Sequence, residues 1–584
     1  MLNYFKKNWQ ILSIIFLSFL LNSFYIKWGL PSKWHPDEGL YISDVVNMFL
    51  NMKFNTNLPS CYRYFLFLLL TPYFIFIKLF NFDFNIDFVY LLSRYISAIL
   101  GTLVVYILYK LTKIIYDKKT ANLTALFCSL NMGFVNIFHF ATTDAFVLFL
   151  ISIAFLFSAY IFKYKKDIYY VGCGIAIGFA TATKIIPFLF VFIVLLIHFL
   201  DYKNKICINY IKIKILLFFA FIFFLVSILF LFKKDIFFEI IKKFSPDGII
   251  DNTTFIFLDF FRRFFILSNF IIFIFLLLSF KIRLLHNFII HLIDKKISAF
   301  FVMVFLCFII GNPFLFIKFR NFIDYIIYFF NYTHFSGLNK LDVKIPTFVY
   351  YVYVLNNIFG LPLFLLCIFG FLYGTLNIRR DKFSIVLISW ILIFYLFLSF
   401  QNLVRTRFIL PIVLSFLILS ARFSIKILEN KNILIRNIFI IFLIFVILYT
   451  FFYVLTLEFM FRYDTRKLAG DWIRKNIPTD SVIYAYSNFL NYLPDLDYSF
   501  YNIKIISNQQ NVDFLEPPKG DYLIFTSFYY EYFINNKDYP NISNFFNNII
   551  NGKADYKLIK KFEFKGILKP KPEFVSPIIL IFKK

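Results

Sequence analysis

A chain of 584 residues of which 61% are hydrophobic, with a mean hydropathy of +0.76, carries more apolar side chain than a water-soluble core can bury. That excludes a soluble enzyme and indicates a polytopic membrane protein. The net charge of +27 does not indicate nucleic acid, because Lys and Arg fall in short segments between apolar runs, where they read as topology signals and lipid headgroup partners.

In chain order, the first apolar run, Trp9 to Tyr25, follows Lys6-Lys7 with no small-residue cleavage site after it, and reads as an uncleaved first span with the N-terminus inside. It delivers Trp34-His35-Pro36-Asp37-Glu38-Gly39-Leu40-Tyr41 to the outer side. Two adjacent carboxylates at the edge of hydrocarbon are costly unless they bind a cation, pair with a base or move a proton. The next run, Tyr64 to Phe80, contains Pro72 and Lys78 and is short for a span. Read as a helix in the outer interface, it keeps the cluster Lys110, Lys113, Lys118 and Lys119 inside.

Further spans are expected near 88–109, 121–139, 145–162, 168–182, 185–200, 215–232, 264–280, 298–317, 357–375, 384–400, 408–426 and 438–457, with long outer loops at 233–263 and 318–356. The total is about thirteen, all apolar on every side rather than amphipathic. From Glu458 onward charged and turn residues return. Residues 458–584 are expected to form a small extracytoplasmic α/β domain, with a helix over Asp464–Asn476 and strands at Val482–Ala485, Tyr522–Thr526, Leu558–Phe564 and Ile578–Phe582. Residues 1–457 form the all-α membrane domain. The six cysteines lack metal-ligand spacing.

Three more positions face the same outer side. Asp144 opens the fourth span and suits both helix capping and chemistry. Lys184 breaks an apolar run, and Arg407 precedes Phe408-Ile409-Leu410-Pro411. Together they suit a phosphate clamp, Arg as a bidentate fork and Lys as a point charge. The neighbouring Arg405 reads as a snorkelling headgroup contact.

The order of an N-terminal span, the outer Asp37-Glu38 pair with Tyr41, the Asp144 turn, Thr183-Lys184 and Arg407-Phe408-Ile409-Leu410-Pro411 resembles the GT-C class of membrane glycosyltransferases. The branch it looks most like contains the protein O-mannosyltransferases and the aminoarabinose transferases. In the tail, Asp464-Thr465-Arg466 and Asn476-Ile477-Pro478 are similar to prokaryotic members. The resemblance implies inverting transfer of a sugar from a polyprenyl-phosphate donor to an extracytoplasmic acceptor (protein, lipid or glycan) at the plasma membrane. It implies Asp37 as general base, Asp144 as the second-loop acid and Arg407 as the contact to the donor phosphate, with His35 a candidate orienter at the substrate; Glu38 is expected to support Asp37 in catalysis, and Tyr41 and Lys184 to contact substrate. No cofactor is required. If magnesium or manganese binds, Asp37, Glu38, Asp144 and His139 are its expected ligands. The alternative function is a transporter or exporter of a lipid-linked or saccharide substrate, which would show internal repeats and charges deep in the bilayer.

Overall fold

In the computed structural model of the chain, residues 2–54, 59–202, 220–228, 266–274, 294–318, 346–401, 404–497, 499–507, 520–534 and 539–584 are described, together with a few isolated positions between 217 and 325. The chain divides into two compact units, one of residues 1–53, 65–149 and 336–584 and one of residues 54–64 and 150–335. The expected loop 233–263 lies largely outside the described residues, and the expected spans 215–232 and 264–280 lie partly outside them.

Six described helices are long and apolar enough to cross a membrane, or up to eight if each of two bent pairs is one span. The protein is therefore a multi-pass membrane protein. Helix Ile433–Arg462 shows why hydrocarbon surrounds it: Ile438, Ile441, Ile444, Phe445 and Leu448 are exposed along it, a surface that lipid rather than water solvates. Helix Cys61–Phe80 is 20 residues long and meets the same length and composition criteria, so length does not separate it from the spans.

Two expected spans are bent. Residues 118–138 form Lys118–Ser129 and Met132–Phe138 at 60° to each other, with the Asn131 side chain capping the second helix. The stretch expected to span 357–375 instead belongs to Thr347–Phe359 and Leu361–Leu376, bent by 117°. The first of these helices occupies part of the expected outer loop 318–356. The corner is Gly360, at φ +71°, followed by Pro362 in the first turn of the next helix.

In the second unit, helices Asp167–Thr183 and Lys295–Gly311 pack backbone to backbone. A Cβ on Gly174 would lie 2.6 Å from the Phe300 carbonyl oxygen and one on Gly178 2.7 Å from that of Val304, so only glycine allows this approach. Ser60 joins the end of the pair through the Asn312 side chain, 3.0 Å from its backbone nitrogen.

The tail, in the first unit, is a three-layer α/β domain. Its sheet, in order β2-β1-β3-β5-β4, consists of β1 (Val482–Tyr486), β2 (Asn502–Ile506), β3 (Tyr522–Thr526), β4 (Lys557–Phe562) and β5 (Ile579–Lys583). β2, β1 and β3 run parallel, while β5 is antiparallel to β3 and β4. Alternation divides the faces: Ile483, Ala485, Ile524 and Ile581 pack on helix Thr465–Asn476, and Tyr486, Leu523, Phe525 and Phe582 pack on helices Ser527–Phe533 and Pro540–Ile550. The expected strands and helix are present; β2 and the two later helices were not anticipated.

Arg466 fastens this domain to the first loop. Its guanidinium donates to both oxygens of Asp464 at 3.0 and 2.9 Å, to the Asn491 and Phe574 carbonyls at 2.7 Å each, and to the Trp34 carbonyl at 3.4 Å. Trp34 and Trp28 lie 4.7 and 5.1 Å from it, and the Trp28 indole donates to Asp464 at 3.0 Å. With Arg466 and Asp464 only 0% and 1% exposed, neither charge has solvent to fall back on. Arg466→Ala is expected to cost about 3–5 kcal/mol by stranding Asp464, with Arg466→Lys recovering part of it. Tryptophan-fluorescence melts of the detergent-solubilised protein read this, and an unchanged midpoint in Arg466→Ala would refute it.

Candidate active site

The loop between the first helix and helix Glu38–Leu50 is fixed at several points. Trp28 and Trp34 are buried against Phe140, Leu457 and Phe461. At its root, His139 has Nδ1 2.7 Å from the Val135 carbonyl and Nε2 2.8 Å from that of Phe24. Both ring nitrogens thus face backbone carbonyls, and Nε2 also lies 3.5 Å from Glu458.

The two adjacent carboxylates have opposite surroundings. Glu38 is fully buried, and both of its oxygens are taken by Arg94, from helix Ile86–Ile115: Nε to Oε1 at 2.9 Å and Nη2 to Oε2 at 2.7 Å. Oε1 also accepts the Ala141 amide at 2.8 Å. Burial alone would raise the Glu38 carboxyl, but the charge and hydrogen bonds of Arg94 outweigh it and hold Glu38 below the usual carboxylate range. Arg94 reaches further, to the Ile26 and Trp28 carbonyls at 2.8 and 2.6 Å. Glu38 thus joins the loop, helix Ile86–Ile115 and the turn before helix Thr143–Tyr164.

Asp37 occupies the N-cap position of helix Glu38–Leu50 yet makes no side-chain cap bond, so its carboxylate is not spent on the helix. Its side chain is 35% exposed and lies 2.8 Å from Nη1 of Arg407. Its backbone amide donates to Nδ1 of His35 at 3.2 Å. Burial pushes the His35 imidazole down to about 4, against the pull of Glu38 and Asp37, which leaves Nδ1 free of a proton to accept that bond at neutral pH. His35 packs on Phe140 and Phe574 at 4.4 and 4.7 Å and is only 2% exposed. His35 thus holds the Asp37 amide from a buried position in the loop.

Because Glu38 ties down Ala141, the first turn of helix Thr143–Tyr164 is brought to the same place. Asp144 lies 3.5 Å from Nε of Arg407, and Thr143 and Tyr41 have their hydroxyls 3.5 Å apart. Arg407 projects from the turn Thr406–Ile409, which leads into helix Leu410–Leu428 with Pro411 in its first turn. The Trp390 indole holds that start by donating to the Pro411 carbonyl at 3.0 Å. Arg407 is 15% exposed, and despite the short charge contacts its Nε and Nη1 have no aligned hydrogen-bond acceptor. The guanidinium is held by charge and retains donor capacity.

A third carboxylate was not anticipated. Glu573, from the tail, has Oε1 3.8 Å from Nη1 of Arg407 and Oε2 accepting the Arg407 amide at 3.3 Å, while Phe574 lies 5.3 Å from the guanidinium. Glu573, Phe574, Arg405, Tyr350, Tyr492 and Lys571 are among the residues around a cleft of roughly 250 Å³. Arg94 and Arg466 were also missed as organisers of the site. A charge inside an otherwise apolar helix was the available signal for Arg94; Glu573 and Arg466 had no comparable mark. Lys184 belongs to the second unit, where it follows helix Asp167–Thr183 in extended conformation.

Among the described residues no group of three or more His, Cys, Asp or Glu side chains is arranged to hold a metal ion. Of the four ligands expected for magnesium or manganese, Glu38 is ion-paired with Arg94, and both nitrogens of His139 lie within 2.8 Å of backbone carbonyls.

Residues 64–230 match the family model described as dolichyl-phosphate-mannose-protein mannosyltransferase. Among solved structures, the oligosaccharyltransferase of Archaeoglobus fulgidus in its apo form is similar at TM-score 0.50 and 16% identity, over 93% of this chain and 73% of that one. ArnT from Cupriavidus metallidurans bound to undecaprenyl phosphate aligns at TM-score 0.43 and 10% identity, over 99% and 98%. No curated protein is similar in sequence to a significant degree. The chain has the fold of a GT-C membrane glycosyltransferase, and its residues 64–230 carry the pattern of the mannosyltransferase family.

Proposed function

We propose that the protein transfers a sugar from a polyprenyl-phosphate carrier to an extracytoplasmic acceptor, with inversion at the anomeric carbon. The observation that carries this reading is the meeting of Asp37, Asp144 and Arg407, far apart in sequence, around one guanidinium. The mannosyltransferase pattern over residues 64–230 supports the donor class. A transporter reading has no account of that pattern or of charges gathered at helix starts and loops.

The acceptor hydroxyl attacks the anomeric carbon, the bond from that carbon to the phosphate oxygen breaks, and polyprenyl phosphate departs with the electron pair. Asp37 takes the acceptor's proton, being the most exposed carboxylate of the cluster. Arg407 meets the charge that grows on the departing phosphate. Asp144 holds the guanidinium from the other side. Tyr41 stands near Thr143, and Lys184 is assigned a donor-phosphate contact as a point charge that breaks an apolar run. Incubating the purified protein with labelled polyprenyl-phosphate sugars and measuring release of polyprenyl phosphate tests the reading.

Asp37→Asn keeps the shape and removes the base, so turnover should fall about 10²- to 10⁴-fold with donor binding retained. Near wild-type turnover would move the base elsewhere, to Asp144 first. Glu38→Gln should act differently, lowering the melting temperature and the yield of folded protein because it leaves Arg94 buried without its counter-ion.

Replacing Arg407 by Lys keeps a charge and loses the fork, so donor KM should rise at least severalfold, whereas Arg405→Lys should leave it near wild type. Equal donor KM in the two variants would remove Arg407 from the phosphate site.

The site and the tail are placed outside and the N-terminus inside the plasma membrane. In single-cysteine variants, a membrane-impermeant maleimide applied to intact cells should label Lys467→Cys and spare Lys113→Cys. The reverse pattern would overturn this orientation.

A further inference from the structure

Arg407 has three carboxylates around it. Asp37, Asp144 and Glu573 all lie within 3.8 Å of its nitrogens. A donor phosphate brought to the same guanidinium adds another anion, and like charges packed together in a partly buried site repel strongly. A carboxylate that moves away relieves that repulsion.

The geometry picks Glu573. Its side-chain contact with the guanidinium is the longest of the three, at 3.8 Å against 2.8 and 3.5 Å. Its Oε1 is buried and has no hydrogen-bond partner. Its segment, residues 563–578, has neither helix nor strand, yet the backbone is pinned on both sides of Glu573. The Lys571 amide donates to Asn357 Oδ1 at 2.9 Å, the Asn357 side chain donates to the Lys571 carbonyl at 2.8 Å, and Arg466 holds the Phe574 carbonyl at 2.7 Å. The side chain is therefore what moves. The cleft of roughly 250 Å³ beside it offers the space, and Arg405 and Lys571 on its walls offer cations for the displaced carboxylate.

We propose that Glu573 of the tail domain stands in for the donor phosphate at Arg407 and is displaced by it into the adjoining cleft. The tail then controls entry of a polyprenyl phosphate to the membrane-domain site through one side-chain rotation. This rests on the proposed function, since it takes the Arg407 ligand to be a phosphate.

The test measures binding of undecaprenyl phosphate, the probe, to the full-length protein in lipid nanodiscs, with no acceptor or sugar needed. Glu573→Gln keeps the shape and removes the competing charge, so affinity should rise about five- to tenfold, at the lower end of couplings between interacting sites. Arg407→Lys should weaken binding, and Glu573→Gln added to Arg407→Lys should restore little. A melting temperature for Glu573→Gln within a few degrees of wild type establishes that the variant is folded. If it is not, Glu573→Ala serves with the same expected direction. Unchanged or weaker binding in a folded Glu573 variant overturns the displacement while leaving the glycosyltransferase reading intact. No binding of undecaprenyl phosphate by the wild type overturns both.

Discussion

A carboxylate with no exposure to solvent must have a buried cation, and the pairing of Glu38 with Arg94 is the constraint on which the site depends. One side chain from the loop meets one from a membrane helix, and the spare hydrogen-bonding capacity of each is used on backbone. Glu38 takes the Ala141 amide, and Arg94 takes the Ile26 and Trp28 carbonyls. The pair therefore fixes three segments at once: the loop, helix Ile86–Ile115 and the turn before Asp144. Arg466 does the same from the tail side, with Trp34, Asn491 and Phe574 as its backbone partners. The loop is held between two buried arginines, with Trp28 beside both.

That arrangement accounts for the different fates of neighbouring acids. At the start of a helix, successive side chains point about 100° apart, so Asp37 and Glu38 cannot share surroundings. Glu38 turns inward to Arg94. Asp37 is left at the rim against Arg407, with its amide on a neutral His35 and its carboxylate unused by the helix start. Rigidity is supplied by buried ion pairs, which leaves the exposed carboxylate on a fixed support.

The membrane character, the tail's main strands and the convergence of Asp37, Asp144 and Arg407 were legible in the sequence because each has a local physical signature: sustained apolarity, alternation, or charge at the end of an apolar run. What was not legible depends on distant partners. The bend at Gly360 is a backbone event at one residue inside a continuous apolar stretch, and hydropathy has no means of registering it. Which of Glu38 and Asp37 is buried is decided by where Arg94 lies, fifty-six positions along the chain from Glu38. Glu573 sits in an irregular tail segment whose lysines and prolines read as an ordinary surface loop, and only the fold carries it to Arg407.

The tail domain thus contributes to the site in two ways that are physically separable. Arg466 acts through backbone carbonyls and sets where Trp34 and Phe574 lie, a positional effect that ligand charge does not alter. Glu573 acts through a charge at the end of a flexible side chain, and its energy changes as soon as an anion arrives at Arg407. Since Phe574 is fixed by the first and is the direct neighbour of the second, the chain presents a responsive carboxylate on a rigid mount. A ligand can then reset the contact between tail and membrane domain without dismantling the contacts that hold the loop, because the two depend on different atoms.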